Sequence, residues 1–149
     1  MSVDLWVDVP NARFPYAGVC TGGRPRQQHL RQAHAHGIRK VVNLCSASER
    51  NDFDEGALTK SLGMGYQSIP ITGPTDLTLE NAKLLAGAMG DASSQPILIH
   101  CASGNRVGAL FALKARYIDG CPIEQCLAIG RSAGLTTLES EVRCILAGI

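Results

Sequence analysis

Cysteine, glycine and arginine fall within six residues of one another at Cys101, Gly104 and Arg106. The apolar run Ile97-Leu98-Ile99 stands just before them and Val107-Gly108-Ala109-Leu110-Phe111 just after. The first run fits a short buried strand, the second continues at helical spacing, and Gly104 frees the backbone for the turn between them. A strand-to-helix turn of this kind gathers backbone N–H groups around one point, and the helix N-terminus adds a partial positive charge there. Cys101 stands at that point. The thiolate is the nucleophilic form of cysteine, and helix N-termini and cations lower the thiol pKa well below its free value of about 8.5, so Cys101 is the candidate nucleophile. Arg106 brings a planar fork that matches the oxygens of phosphate or sulfate. The amides of Ala102, Ser103, Gly104, Asn105 and Arg106 form the candidate anion cradle, and His100 is expected to orient the loop.

His100-Cys101-x-x-Gly104, followed by Arg106 and a helix, resembles the signature of cysteine-dependent protein phosphatases of the tyrosine and dual-specificity type. That family's pattern is Cys-x5-Arg. Here only Ala102, Ser103, Gly104 and Asn105 intervene, giving Cys-x4-Arg, one residue short. Arg106-Val107-Gly108 then lies on the family's Arg-Ser/Thr-Gly, so Val107 stands where a hydroxyl helps the thiolate leave, and breakdown of a phosphocysteine is expected to be slow. A loop of this length is also similar to that of rhodanese-type sulfurtransferases, where it cradles a persulfide. Rhodaneses tend to carry an Asp-x-Arg near the first strand and a His-Ile-Pro-Gly-Ala element, and neither occurs in this sequence. The succession Thr21-Gly22-Gly23-Arg24-Pro25, Gly37 to Leu44, Glu49 and Gly65 to Ile71 resembles instead the dual-specificity phosphatases. It is most nearly similar to bacterial phosphatase-like domains of the beta-lactamase-hydrolase-like group, some of which share the short loop. The likeness runs roughly from Gly18 to Leu135. It implies a phosphatase acting through a phosphocysteine on a phosphorylated protein or small molecule, or a sulfurtransferase carrying a persulfide on Cys101. A non-catalytic, anion-binding pseudophosphatase is the third reading, if Val107 and the short loop prevent turnover. None of the three implies a cofactor.

A phosphate monoester also needs a proton for its leaving oxygen, which a carboxylic acid on a neighbouring loop can supply. Asp76, in Gly73-Pro74-Thr75-Asp76-Leu77 after a predicted strand, is the candidate, in a place similar to the acid loop of dual-specificity phosphatases. An aspartate just ahead of a helix also serves as a partner for its N-terminal charge, and both roles fit Asp76. Asp52, Asp54 and Glu55 begin a helix and are read as serving its dipole. Arg24 follows two glycines, read as a turn that permits positive φ. Either it is a solvated charge or it lends a second cation to the substrate.

The elements that must position these residues are legible as alternating patterns. Weak alternation at Asp4–Val9 predicts an edge strand ended by Pro10 and Asn11. Strands are predicted at Val19–Thr21, Ile38–Leu44, Tyr66–Ile71 and from Ile97. Helices are predicted from Pro25 to Gly37, over Asp52–Leu62, from the Thr78 cap to near Gly90, over Asn105–Ile118 and Pro122–Ser132, and on a last stripe of Leu138, Val142, Ile145 and Leu146. Strands alternating with helices predict an α/β fold. It should be a single compact phosphatase-type domain over residues 1–149, with a mostly parallel central sheet flanked by helices on both faces.

The 149 residues are 45% hydrophobic, 18% charged and 5% aromatic, with a formal charge of +1. Near-neutral charge and few aromatics argue against a nucleic-acid partner. No apolar run reaches eighteen residues and the first residues are acidic, so neither a membrane partner nor a leader is expected, and the expected location is cytoplasmic. In that compartment the six cysteines are expected as thiols. Their spacing, with no Cys-x2-Cys pair, predicts no metal site. Cys126 falls on an apolar helical stripe, whereas Cys20 and Cys45 near strand ends are the two candidates to meet Cys101 in a protective disulfide.

Overall fold

A computed structural model describes residues 7–49, 51–90, 92 and 95–149. Its centre is a five-stranded sheet in the order β1-β2-β5-β3-β4, built from β1 (Arg13–Tyr16), β2 (Val19–Gly22), β3 (Lys40–Asn43), β4 (Gly65–Ser68) and β5 (Ile97–His100). The last four strands run parallel and β1 is antiparallel to β2. The register sets Gly22, His100, Asn43 and Ser68 side by side. Strands that are parallel all end at one edge, and there the chain turns toward its helices. Cys101, Arg24, Cys45 and Glu49 therefore enter loops at that same edge.

Alternation along the strands divides the core into two layers. Val19, Val42, Ile97 and Ile99 face the larger one, with Leu85 of α3 (Leu79–Met89), Phe111 of α4 (Asn105–Tyr117), Leu127 of α5 (Ile123–Ser132) and Val142 of α6 (Glu139–Ala147). Cys20, Val41 and Leu98 face the smaller one, against Leu30 of α1 (Gln27–Ala35) and the flank of α2 (Glu55–Ser61). The predicted α/β architecture, with helices on both faces, is the one observed.

Two expectations change. Of the predicted edge strand Asp4–Val9, residues 4–6 lie outside the described residues. Val7 and Val9 pair with no strand; both are buried as anchors of the smaller core. The edge is β1 instead, in which Pro15 lacks the N–H a central strand would need. Gly22 and Gly23, read as permitting positive φ, do not adopt it. They are glycine for lack of room: a Cβ on Gly22 would lie 2.5 Å from Val9 Cγ2, and one on Gly23 2.8 Å from the Ala102 carbonyl oxygen.

Helix α4 is the axis of the larger layer, buried along Val107, Ala109, Leu110, Phe111, Ala112 and Leu113. Its Gly108 lies so close to the turn after α5 that a Cβ there would stand 2.1 Å from the Leu135 nitrogen and 2.6 Å from the Gly130 oxygen. These are backbone atoms of a packed turn and have nowhere to go. Gly108→Ala is expected to cost about 3 kcal/mol of stability, read as a lower midpoint in urea unfolding monitored by circular dichroism.

Candidate active site

The turn from β5 into α4 takes four residues, 101 to 104, and the left-handed region makes it possible, since Gly104 sits at φ 97° as the residue before the helix. Three carbonyls in succession along this turn point outward onto donors. His100 Nδ1 lies 3.4 Å from the Cys101 oxygen, the Arg24 backbone N–H donates to the Ala102 oxygen at 3.2 Å, and Asn11 Nδ2 donates to the Ser103 oxygen at 3.0 Å. A trans peptide carries its C=O and N–H on opposite sides, so the N–H groups of Ala102, Ser103 and Gly104 point away from those donors. The Gly104 N–H reaches the Cys101 sulfur at 3.0 Å.

Arg106 is held as a fork by its far end. Nη1 and Nη2 donate to Glu49 Oε1 and Oε2 at 2.8 and 2.7 Å, and Nη1 donates to the Ile71 carbonyl at 2.7 Å. Of the five guanidinium donors, the Nε–H and one Nη2–H have no hydrogen-bond partner among the described residues, and they lie along one side of the plane. That edge suits two oxygens of an anion while Glu49 fixes the plane's orientation. The hydrogen bond from Arg106 is the main force holding Glu49 down to about 2. Arg24 Nη2 stands 3.8 Å from the same carboxylate, which sets its charge beside the loop.

His100 is fully buried, with Nε2 2.6 Å from Glu55 Oε2, itself only 6% exposed; Asn51 Nδ2 donates to the other oxygen of Glu55 at 2.9 Å. Burial pulls the imidazole pKa down, but hydrogen bonds with the Cys45 thiol and Glu55, together with the Glu55 charge, outweigh it and raise the value to about 9. Glu55, expected at a helix dipole, is thus a buried counter-ion. The N-cap of α2 is Asp54, whose carboxylate accepts the Ala57 N–H.

The remaining candidates divide. Asn105 does not aim its side chain at an anion: Oδ1 accepts the N–H groups of Thr136 and Leu138, and Nδ2 donates to Thr137, stapling α4 to the turn before α6. Asp76 closes a 3-10 turn, Pro74–Asp76, and accepts both the N–H and the hydroxyl of Thr72 at 2.8 and 2.6 Å, bonds that lower its pKa. Thr78, rather than Asp76, caps α3. Val107 is wholly buried in the core.

Of the two thiols considered for Cys101, Cys20 faces the opposite layer, and burial pushes it up to about 12. Cys45 shares the Cys101 layer and lies with His100, Glu49, Arg24, Phe53 and Tyr66 on the wall of a cavity of about 680 Å³ beside the loop. In the sequence Glu49 is marked only by a resemblance, and Asn11 only as the end of a predicted strand. The Ser46-x-x-Glu49 spacing is that of a capping box, which signals a local turn and nothing about an arginine 57 residues away.

No family model matches the sequence, and no curated protein is similar to it. Solved structures are. The chain superposes on a DUF442 protein of Shewanella putrefaciens CN-32 with a TM-score of 0.70 and 18% identity over 95% of this chain and 93% of that one. Tk-PTP in its active form gives 0.68 and 21% over 93% and 97%. The core catalytic domain of the PP-IP phosphatase SIW14 from S. cerevisiae gives 0.64 and 19% over 95% and 87%. At these identities the likeness establishes the fold, one that this chain shares with these proteins.

The His100–Glu55 pair has a pH signature. A histidine whose pKa is raised on folding contributes stability fully below its unfolded value, near 6.5, and loses it as pH rises through about 9. Chemical denaturation from pH 6 to 9.5 is expected to show that decline in the wild type. Glu55→Gln should cost about 3 kcal/mol at pH 6 by stripping a buried ion of its partner, and the decline should flatten.

Proposed function

We propose that the protein is a cysteine-dependent phosphatase that hydrolyses phosphomonoesters through a phosphocysteine intermediate. The observation that carries this reading is the Cys101 sulfur under the Gly104 N–H, in a loop whose carbonyls all turn away, with an arginine edge locked beside it by Glu49. That arrangement is complementary to a trigonal phosphoryl group in transfer. The fold shared with the phosphatases above supports the same class.

In the first step the Cys101 thiolate attacks phosphorus, and the bond to the leaving oxygen breaks as Asp76 delivers its proton there. Loop amides and the free edge of Arg106 hold the equatorial oxygens. In the second step a water attacks the phosphocysteine, Asp76 takes the water proton, and Cys101 leaves again as thiolate with inorganic phosphate released. No hydroxyl at position 107 assists that departure, so the second step is expected to limit turnover. For Asp76 to act as acid, the Thr72 bonds that favour its ionised form must loosen when substrate fills the site. The cavity of about 680 Å³ is walled by His100, Glu49 and Arg24 and not by Cys101 or Asp76, so in this reading it takes the part of the substrate remote from the phosphate. A phosphorylated protein or a phosphorylated small molecule both fit this chemistry.

A crystal soaked in phosphate should hold the anion above the Cys101 sulfur, on loop amides and Arg106. Cys101→Ser should lose phosphate release by several orders of magnitude, because a hydroxyl without a base is a poor nucleophile. Arg106→Lys should fall nearly as far as Arg106→Ala, since a point charge replaces neither the Glu49 fork nor the free edge. Thiosulfate-to-cyanide transfer with a persulfide on Cys101, and no phosphate release, would establish a sulfurtransferase instead; anion binding with neither activity would establish a pseudophosphatase.

Asp76→Asn should slow substrates with poor leaving groups roughly a hundredfold or more and leave p-nitrophenyl phosphate much less affected, because that leaving oxygen scarcely needs a proton. Equal small losses on both would assign Asp76 to its turn alone.

A further inference from the structure

The three outward carbonyls of the loop are not held alike. The one at Cys101 faces the ring of its own neighbour His100, and the one at Ala102 accepts a backbone N–H, that of Arg24. The one at Ser103 depends on a side chain from a remote part of the chain, Asn11. The Ser103 C=O and the Gly104 N–H belong to one rigid peptide plane, so whatever fixes the first aims the second. The second is the donor at 3.0 Å on the Cys101 sulfur.

We propose that Asn11 is a positioning residue for the nucleophile: by clamping the Ser103 carbonyl it aims the Gly104 N–H at the Cys101 sulfur and so stabilises the thiolate. This rests on the phosphatase reading, whose nucleophile it serves.

The backbone around Asn11 is built to present that amide. Asn11 is the one described non-glycine residue in the left-handed region, at φ 56°, a conformation that asparagine tolerates far better than most residues. The preceding Pro10 carbonyl accepts the Gly23 N–H at 2.7 Å, and Gly23 lies so close to Pro10 and Ala102 that no side chain fits there. The Asn11 turn, the Gly23 turn and the loop thus form one stack at the end of the sheet. Asn11 is itself exposed. Removing its amide leaves the Ser103 oxygen to water and creates no buried orphan. What is lost is the aim of the peptide plane.

Two substitutions separate aim from folding. Asn11→Gly accepts positive φ and lacks the donor; Asn11→Asp keeps the shape but offers the Ser103 oxygen a repelling carboxylate. The readout is the rate of Cys101 alkylation by iodoacetamide against pH, with the site of labelling mapped by mass spectrometry. The groups whose charge bears on the sulfur are the same in wild type and in Asn11→Gly: His100 on β5, Cys45 and Glu49 after β3, Arg24 after β2 and Arg106 on α4. In Asn11→Gly the alkylation midpoint should rise by about half to one pH unit, and in Asn11→Asp by more. The rate of p-nitrophenyl phosphate hydrolysis at pH 6 should fall roughly threefold to tenfold in Asn11→Gly, with its thermal unfolding midpoint unchanged. An alkylation profile of Asn11→Gly that superposes on the wild type would overturn the proposal, whatever Asn11→Asp does, because the aspartate adds a charge of its own. If the wild type releases no phosphate, the phosphatase reading fails, and the alkylation midpoints still decide whether Asn11 positions the sulfur.

Discussion

A loop that turns its amides toward one sulfur must turn its carbonyls away, and each of those carbonyls then needs a donor from elsewhere. Much of the surrounding architecture follows from this constraint. Peptide planes 101, 102 and 103 receive donors from β5, from the turn after β2 and from the segment before β1. The Gly104 carbonyl is taken by the Gly108 N–H as the helix begins. Gly23 lacks a side chain because the Ala102 carbonyl of the loop lies against it, and Gly108 because the end of α5 and the turn after it press on α4 just behind the loop. The sheet order serves the same end: β5 lies between β2 and β3, so the residues that leave both neighbouring strands arrive on either side of Cys101.

Two ion pairs set the charge around the sulfur, and they differ in kind. His100–Glu55 is sealed in the interior, where neither member is tolerated alone, so the pair is a condition of the folded state as well as a source of charge near the loop. Arg106–Glu49 is partly open to solvent. A surface pair of that sort adds little stability, yet two parallel hydrogen bonds define the plane of the guanidinium, and a third to the Ile71 carbonyl pins it. Its contribution is orientation. An arginine free to sample its rotamers would pay that entropy on each binding event, whereas this one presents a ready edge.

The likeness to phosphatases of known structure extends over most of the chain at about one residue in five identical. Such a low figure is what the physical constraints lead one to expect. Layers that need only apolar residues at alternating or helical spacing tolerate wide substitution, while the requirements of the loop are narrow: a thiol at the strand end, glycine in the left-handed position, an arginine on the first helical turn. The shorter Cys-to-Arg spacing is accommodated here with the sulfur still under an amide and the arginine still braced by a carboxylate.

From the sequence alone the alternation of strands and helices could be read. So could the cap at Thr78 and the Cys101-to-Arg106 turn, because each depends on residues within one or two turns of chain, where periodicity and capping chemistry act. Several elements are shorter than their patterns suggest, β3 and α2 among them, and the antiparallel edge at β1 is masked by Pro15 and by its brevity. Folding decided the partnerships. Arg106 meets Glu49 across 57 residues, His100 meets Glu55 across 45, and Ser103 meets Asn11 across 92. It also decided that Cys45, and not Cys20, shares a layer with Cys101. A carboxylate in a loop or an asparagine after a proline carries no local mark of what it will touch, since that depends on which strands lie side by side and which face each residue presents. Strand order and facing are set by burial of the whole apolar surface at once, and the polar contacts at the sheet's end are placed by that result.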